Sequence, residues 1–178
     1  MPLTAYPMVP AWDPDAFSAA PGPVRMVTFY DDESHLRQRM EKWLYNDTGG
    51  ALTIGRPYMI RYAGAGEKPL NIDAALVATN ADTPEEICVA VRATPDATWD
   101  YLAGEGFVEA LVDGTTDCTA GDYLSVDDDI VSGGGFKEDT TARTKNSFAI
   151  YMDPTDETTA GVTLRLIRLF GEAAEVLT

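Results

Sequence analysis

Between residues 56 and 170 seven short apolar runs recur, separated by Gly, Asp, Thr and Pro. They are RPYMIRYA (56–63), LNIDAALVAT (70–79), EEICVAVRA (85–93), FVEALV (107–112), DYLSV (122–126), SFAIYM (147–152) and GVTLRLIRLF (161–170). Each is short and rich in Val, Ile, Leu and Tyr, residues that suit a pleated, half-buried surface. In the last, Val162, Leu164 and Leu166 alternate with Thr163 and Arg165, the period of a half-buried strand. Repeated helical patterns do not separate the runs, which argues against a doubly wound α/β sheet. The expected fold is mainly β, a β-sandwich or barrel-like domain. With 178 residues, 45% of them apolar and 24% charged, the chain can bury a core of its own.

The segment before these runs reads differently. RMVTFY (25–30) alternates as a short strand. In DDESHLRQRMEKWLYN (31–46), Leu36, Met40, Trp43 and Leu44 fall at i, i+4, i+7 and i+8. That spacing predicts an amphipathic helix, with Asp31 or Asp32 as its cap and Arg37, Arg39 and Lys42 in its later turns. Residues 1–24 hold six of the eleven prolines together with Tyr6, Trp12 and Phe17. Proline removes backbone donors and favours extended chain, while large apolar rings left in water invite burial. The expectation is an extended Pro-rich arm over 1–24, gripping its own domain or a neighbour through Tyr6, Pro7, Trp12 and Phe17, and one β-rich domain over 25–178.

The formal net charge of −16 repels nucleic acid and anionic membrane and excludes both as expected partners. The charge is concentrated: residues 82–139 hold 15 acidic and 2 basic side chains, which predicts a strongly negative solvated face. Cys88 and Cys118 form no CxxC pair and no disulfide framework, and Cys88 lies among β-branched residues as a small hydrophobe. The first 24 residues lack Lys, Arg and a continuous apolar stretch, and no run approaches the ~20 apolar residues of a membrane helix. A soluble protein made in a reducing cytoplasm is expected.

Motifs for chemistry do not survive inspection. The single histidine, His35, has Ser34 beside it, but neighbouring side chains diverge and cannot form a triad. One His and two scattered Cys fall short of a structural zinc site. SVDDDIVSGGGFKED (125–139) offers hard oxygen ligands for a cation, with Asp127 and Asp129 as weak candidates, but Val131 stands where an EF-hand needs its third ligand. A Gly-rich hairpin or lid is the simpler reading. Gly133-Gly134-Gly135 is not followed by Lys-Ser/Thr, and Gly64-x-Gly66 meets Pro69 instead of a helix, so phosphate loops are excluded. Glu105 and Glu109 could be paired as glycosidase acids, but carboxylates are so abundant that the pairing carries no weight. No catalytic residue, cofactor or metal is expected, and no enzymatic activity.

In GFVEALVDGTTDCTAGDYLSV (106–126) an apolar strand meets an Asp-Gly-Thr-Thr turn, and Ala120-Gly121-Asp122 opens the next strand before a Gly-rich loop. Asp-Gly favours a tight turn, so Asp113 to Asp117 read as a bend and not as a site. The phrase and its order resemble head decoration (cement) proteins of tailed bacteriophages, and TKNSFAIYMDPTDETTAGVTLRLIRLF resembles their closing strands. The resemblance spans about residues 50–170; the helix expected at 31–46 departs from the simplest members. It implies a sandwich or barrel, attachment to the major capsid protein on the outside of the head, a homotrimer, and an arm that grips the shell or a neighbour. The location implied is the virion, after synthesis in the host cytoplasm. The alternatives are a β-sandwich binding module, for carbohydrate or cation-dependent adhesion, whose aromatics Trp99, Tyr101 and Tyr123 would gather on one face, or another virion protein such as a tail component.

Overall fold

The computed structural model describes residues 24–31, 33–61, 71–73, 86–127, 134–139 and 147–170. Among them the chain forms ten strands and no helix: β1 (Val24–Tyr30), β2 (Leu36–Asn46), β3 (Pro57–Arg61), β4 (Asn71–Asp73), β5 (Ile87–Val89), β6 (Trp99–Asp113), β7 (Tyr123–Asp127), β8 (Gly135–Glu138), β9 (Ser147–Tyr151) and β10 (Val162–Leu169). Each of the seven apolar runs supplies a strand, so the mainly β class is as the sequence implies. The arm residues Tyr6, Pro7, Trp12 and Phe17 lie outside the described residues.

The sheet order is β1-β2-β4-β3-β5-β6-β10-β9-β7-β8, and β2 also pairs with β6, which closes β2, β4, β3, β5 and β6 into a five-stranded barrel. β8 returns to β6 as well, so β6, β10, β9, β7 and β8 form a second circuit on the same strand. At 15 residues β6 is long enough to serve both. Closure removes the open edges that sheets otherwise expose. Leu44, Leu52, Tyr58, Ile60, Cys88, Ala90 and Leu102 fill one cluster. A larger one contains Val108, Val112, Leu124, Phe136, Phe148, Tyr151, Ile167 and Leu169.

The helix expected over 31–46 is not formed; residues 36–46 are β2, antiparallel to β1, with Met26 opposite Met40 and Tyr30 opposite Leu36. The helical stripe was ambiguous for a geometric reason. Leu36, Met40 and Leu44 are spaced by four, which keeps them on one face of a helix and equally on one face of a strand. Trp43 distinguishes the two, because in the strand it points with Arg37, Arg39 and Glu41 to the opposite face. That face has cross-strand partners. Arg25 and Arg39 donate to Glu41 at 2.7 and 2.8 Å, and Arg37 donates to Asp31 at 2.8 Å. The charges assigned to a helix dipole therefore serve ion pairs, Arg37 with Asp31, Arg39 with Glu41 on the same strand and Lys42 with Glu86. His35 sits in its turn, where its backbone N–H donates to Asp31 Oδ1 at 2.7 Å.

Candidate interaction surface

β1 pairs only with β2, so the β1–β2 hairpin runs beyond the barrel and its outer edge has no strand neighbour among the described residues. The even-numbered positions of β2 begin inside the barrel at Leu44, which is fully buried. Followed back along the strand, the same face leaves the barrel and reaches Leu36, 59% exposed. Its partners on β1 are Val24, Met26 and Tyr30, at 50%, 65% and 71% exposure. A core-type surface thus continues into solvent as a strip whose apolar side chains are interrupted by Lys42, Gln38 and Thr28 on the same face. Exposed apolar side chains beside an edge with no strand partner among the described residues are what interaction sites present.

The opposite face of the hairpin is fixed by arginines and rings. Glu41, 1% exposed, is held by Arg25 and Arg39. Arg25 lies 3.8 Å from the Tyr101 ring centroid, Arg37 4.6 Å from Phe107 and Arg39 4.9 Å from Phe29. Behind Arg25 runs a row of aromatics contributed alternately by β6 and β2. Tyr101 to Trp43 is 4.6 Å, Trp43 to Trp99 6.4 Å with the rings nearly parallel, and Trp99 to Tyr45 5.5 Å between centroids. The register explains the row, since Trp43 faces Tyr101 and Tyr45 faces Trp99 across the ladder. Trp99 and Tyr101 do gather, therefore, while Tyr123 lies on β7 at 6.5 Å from Phe170. The pairing of Trp43 with this group was masked in the sequence by the helical reading of β2.

The Asp113–Asp117 stretch is a braced turn. Asp113 Oδ1 accepts from the Thr115 N–H and hydroxyl at 2.9 and 2.8 Å and from the Gly161 N–H at 3.1 Å. Burial pushes its carboxyl up, but those hydrogen bonds and the charge of Lys137 outweigh this and hold it below the usual carboxylate range. Cys118 forms a bridge with Glu157, tying the turn to the segment before β10. Asp122 Oδ2 closes the next turn by accepting from Thr119. Asp113 Oδ1 and Asp122 Oδ2 are thus engaged in bracing the two turns. Within the acidic region 82–139, Glu86 and Asp100, 5% and 8% exposed, are buried against Lys42 and Arg92.

A cleft of about 480 Å³ lies between the hairpin and β10, lined by Phe29, Arg37, Arg39, Val108, Leu164 and Arg165 among others. Each of its three arginines is already paired, with Asp31, Glu41 and Glu157. Glu109 borders the cleft and Glu105 does not, so the two acids do not converge. Among the described residues no group of three or more His, Cys, Asp or Glu is placed to hold a metal. Asp127 closes β7 opposite Gly135, but its side chain and the whole of Asp129 lie outside the described residues. Among the described residues, no helix is long and apolar enough to cross a membrane.

Cys88 and Cys118 are both free and buried. Burial pushes the Cys118 thiol up to about 11 and the Cys88 thiol higher still. A chromogenic disulfide reagent near about pH 8 is expected to modify neither in the folded protein and both once denaturant is added, because only the thiolate reacts. Rapid labelling of Cys118 without denaturant would contradict this placement.

Neither a scan against protein-family models nor a search of curated proteins finds a match for this chain.

Proposed function

We propose that the chain is a virion structural protein that binds the outside of a phage head and stabilises it as a homo-oligomer, without enzymatic activity. The observation that carries this reading is the exposure of Val24, Met26, Tyr30 and Leu36 beside the outer edge of β1, which has no strand partner among the described residues. Exposed apolar side chains are costly in a lone domain and favourable in an interface. A free edge adds main-chain hydrogen bonds to any partner strand. The net charge of −16 keeps many unassembled copies apart and soluble. A contact available only in the assembled state then stabilises the shell by mass action. The Asp-Gly-Thr-Thr phrase, which resembles decoration proteins, occupies a structural turn in keeping with a family signature that is not catalytic. A binding module for carbohydrate would use the ring faces of Trp99, Tyr101 and Tyr123, and Tyr123 stands apart from the other two.

The test is a double substitution, Met26→Asp with Tyr30→Asp. Surface changes of this kind alter the stability of an isolated domain by about 0.5 kcal/mol or less. Analytical ultracentrifugation should show the wild-type chain as an oligomer and the variant as a smaller species. Co-sedimentation with empty heads should fall together with it. If the variant associates and binds heads as the wild type does, the strip is not the interface. If the wild-type chain is a monomer that ignores heads altogether, the function itself is wrong.

A further inference from the structure

We propose that the cleft between the hairpin and β10 binds an organic cation with an apolar body, an ammonium or guanidinium group carried on a hydrocarbon stem. Its volume of about 480 Å³ lies in the range of small-molecule sites. Among the described residues the exposed large hydrophobic side chains are Val24, Met26, Tyr30, Leu36, Ile54 and Leu164, and half of them, Tyr30, Ile54 and Leu164, line this one cleft. These are 71%, 46% and 44% exposed, and they come from the end of β1, the segment before β3, and β10. Val91, Met152 and Leu166 continue the apolar lining. Apolar side chains drawn together from distant segments and left in water form a concave surface that gains by being covered.

The walls are braced before any ligand arrives. Arg37 donates to Asp31 at 2.8 Å, Arg39 to Glu41 at 2.8 Å and Arg165 to Glu157 at 2.6 Å. These pairs fix side chains on both walls, so binding has little left to order. They also use the positive charge of the cleft. Its lining carboxylates are Asp31, Glu33, Glu109 and Asp153, and only Asp31 forms an ion pair with an arginine. Asp153 accepts from the Thr155 and Leu166 N–H groups at 2.9 and 3.4 Å, and Glu33 lies 3.5 Å from His35 Nδ1. Glu109 is exposed, stands opposite Leu166 across the ladder, and has no hydrogen bond or ion pair among the described residues. A cation whose stem lies on Leu166 and Leu164 therefore meets the Glu109 carboxylate. An anion would instead face Glu33, Glu109 and Asp153 together. Tyr30 adds an exposed ring of the kind that attracts ammonium groups.

The site is tested on the isolated full-length chain by methyl NMR, and its failure would leave the shell reading untouched. Hexylammonium, hexanol and hexanoate share a stem and differ in charge. Hexylammonium should shift the Ile54 and Leu164 methyl resonances saturably and bind severalfold more tightly than hexanol, with hexanoate weakest. Added salt should shrink the preference for the ammonium. Glu109→Gln should bring hexylammonium down to the affinity of hexanol and leave hexanol as it was; Glu109 is exposed, so the fold is retained. Equal affinity for the three probes overturns the proposal, as does an ammonium preference that survives Glu109→Gln. Shifts confined to methyls outside the cleft overturn it too. A capped Leu-Arg-Leu peptide distinguishes the source of the cation. Tighter binding than hexylammonium at the same methyls assigns the side chain of a partner protein, and weaker binding assigns a small free amine.

Discussion

Replacing Gly106 with valine is expected to cost about 3–5 kcal/mol and to lower the melting temperature by roughly 10 °C, combining a forbidden backbone conformation with overpacking. Gly106 lies on β6 at φ +93°, a region that a β-branched residue does not occupy without strain. A Cβ there would stand 2.6 Å from the Gln38 carbonyl oxygen and 2.8 Å from Arg39 Cα, both backbone atoms of β2. Neither can swing aside as a side chain would, so β2 itself must move away from β6. This pair closes the five-stranded barrel and anchors the hairpin, so the effect should extend beyond the site. Two controls divide the causes. Gly121, at φ +102° with nothing within 4 Å of its Cβ, should lose only about 1–2 kcal/mol on change to alanine. Gly50, with open space and no such φ, should change by less than about 0.5 kcal/mol. Urea denaturation of the three variants measures the differences. A Gly106→Val chain as stable as Gly121→Ala would mean that β2 and β6 are not in close approach.

These constraints were unevenly visible in the chain. The apolar runs after residue 56 announced strands because tertiary burial and local propensity agree there. FVEALV showed only the second half of β6, because Trp99 to Gly104 mix aromatics with Asp100 and glycine and conceal the period. β8 was concealed within the Gly- and Asp-rich stretch. The helix expected at 31–46 shows the opposite case, a pattern whose spacing satisfies both periods until cross-strand partners decide it. Those partners, Arg25 and Phe29 on β1 and Phe107 on β6, are distant in sequence, and no local signal ties them to Glu41, Arg39 and Arg37. The apolar strip follows from the same reversal: Leu36 and Met40 read as the buried face of a helix, and as β2 they lead out of the core into solvent. The turn at Asp113 was legible because Asp-Gly acts locally. Its tie to Glu157 was not, since that bridge joins segments 39 residues apart.

Changing Glu157 to glutamine should destabilise the protein by about 2–3 kcal/mol near neutral pH, below the roughly 3–5 kcal/mol for breaking a fully buried ion pair. Glu157 is 1% exposed, and Arg165 donates to its Oε2 at 2.6 Å while the Thr159 N–H donates to Oε1 at 2.9 Å. Arg165 stays 24% exposed and can regain water when its partner is removed, which is why the loss falls short of that for a fully enclosed pair. Burial pushes the Glu157 carboxyl up, but the Thr159 and Arg165 hydrogen bonds and the Arg165 charge outweigh it and leave it below its ordinary value. A carboxyl lowered in the folded state contributes stability above its unfolded pKa, about 4.3, and loses it as pH falls through the folded value. The gap between wild type and Glu157→Gln should therefore be widest above about pH 5 and close progressively in more acid solution. Asp100, lowered by its hydrogen bonds from Arg92, Thr94 and the Tyr101 N–H despite burial, and Asp113 contribute in the same direction. Glu138 acts oppositely. Burial and the neighbouring carboxylates of Asp122, Asp117 and Asp139 raise it, so its contribution falls as pH rises through its titration. Urea unfolding of wild type and Glu157→Gln at several pH values between neutral and strongly acid separates charge from packing. A gap that stays constant across that range would mean that Glu157 stabilises the turn by shape alone.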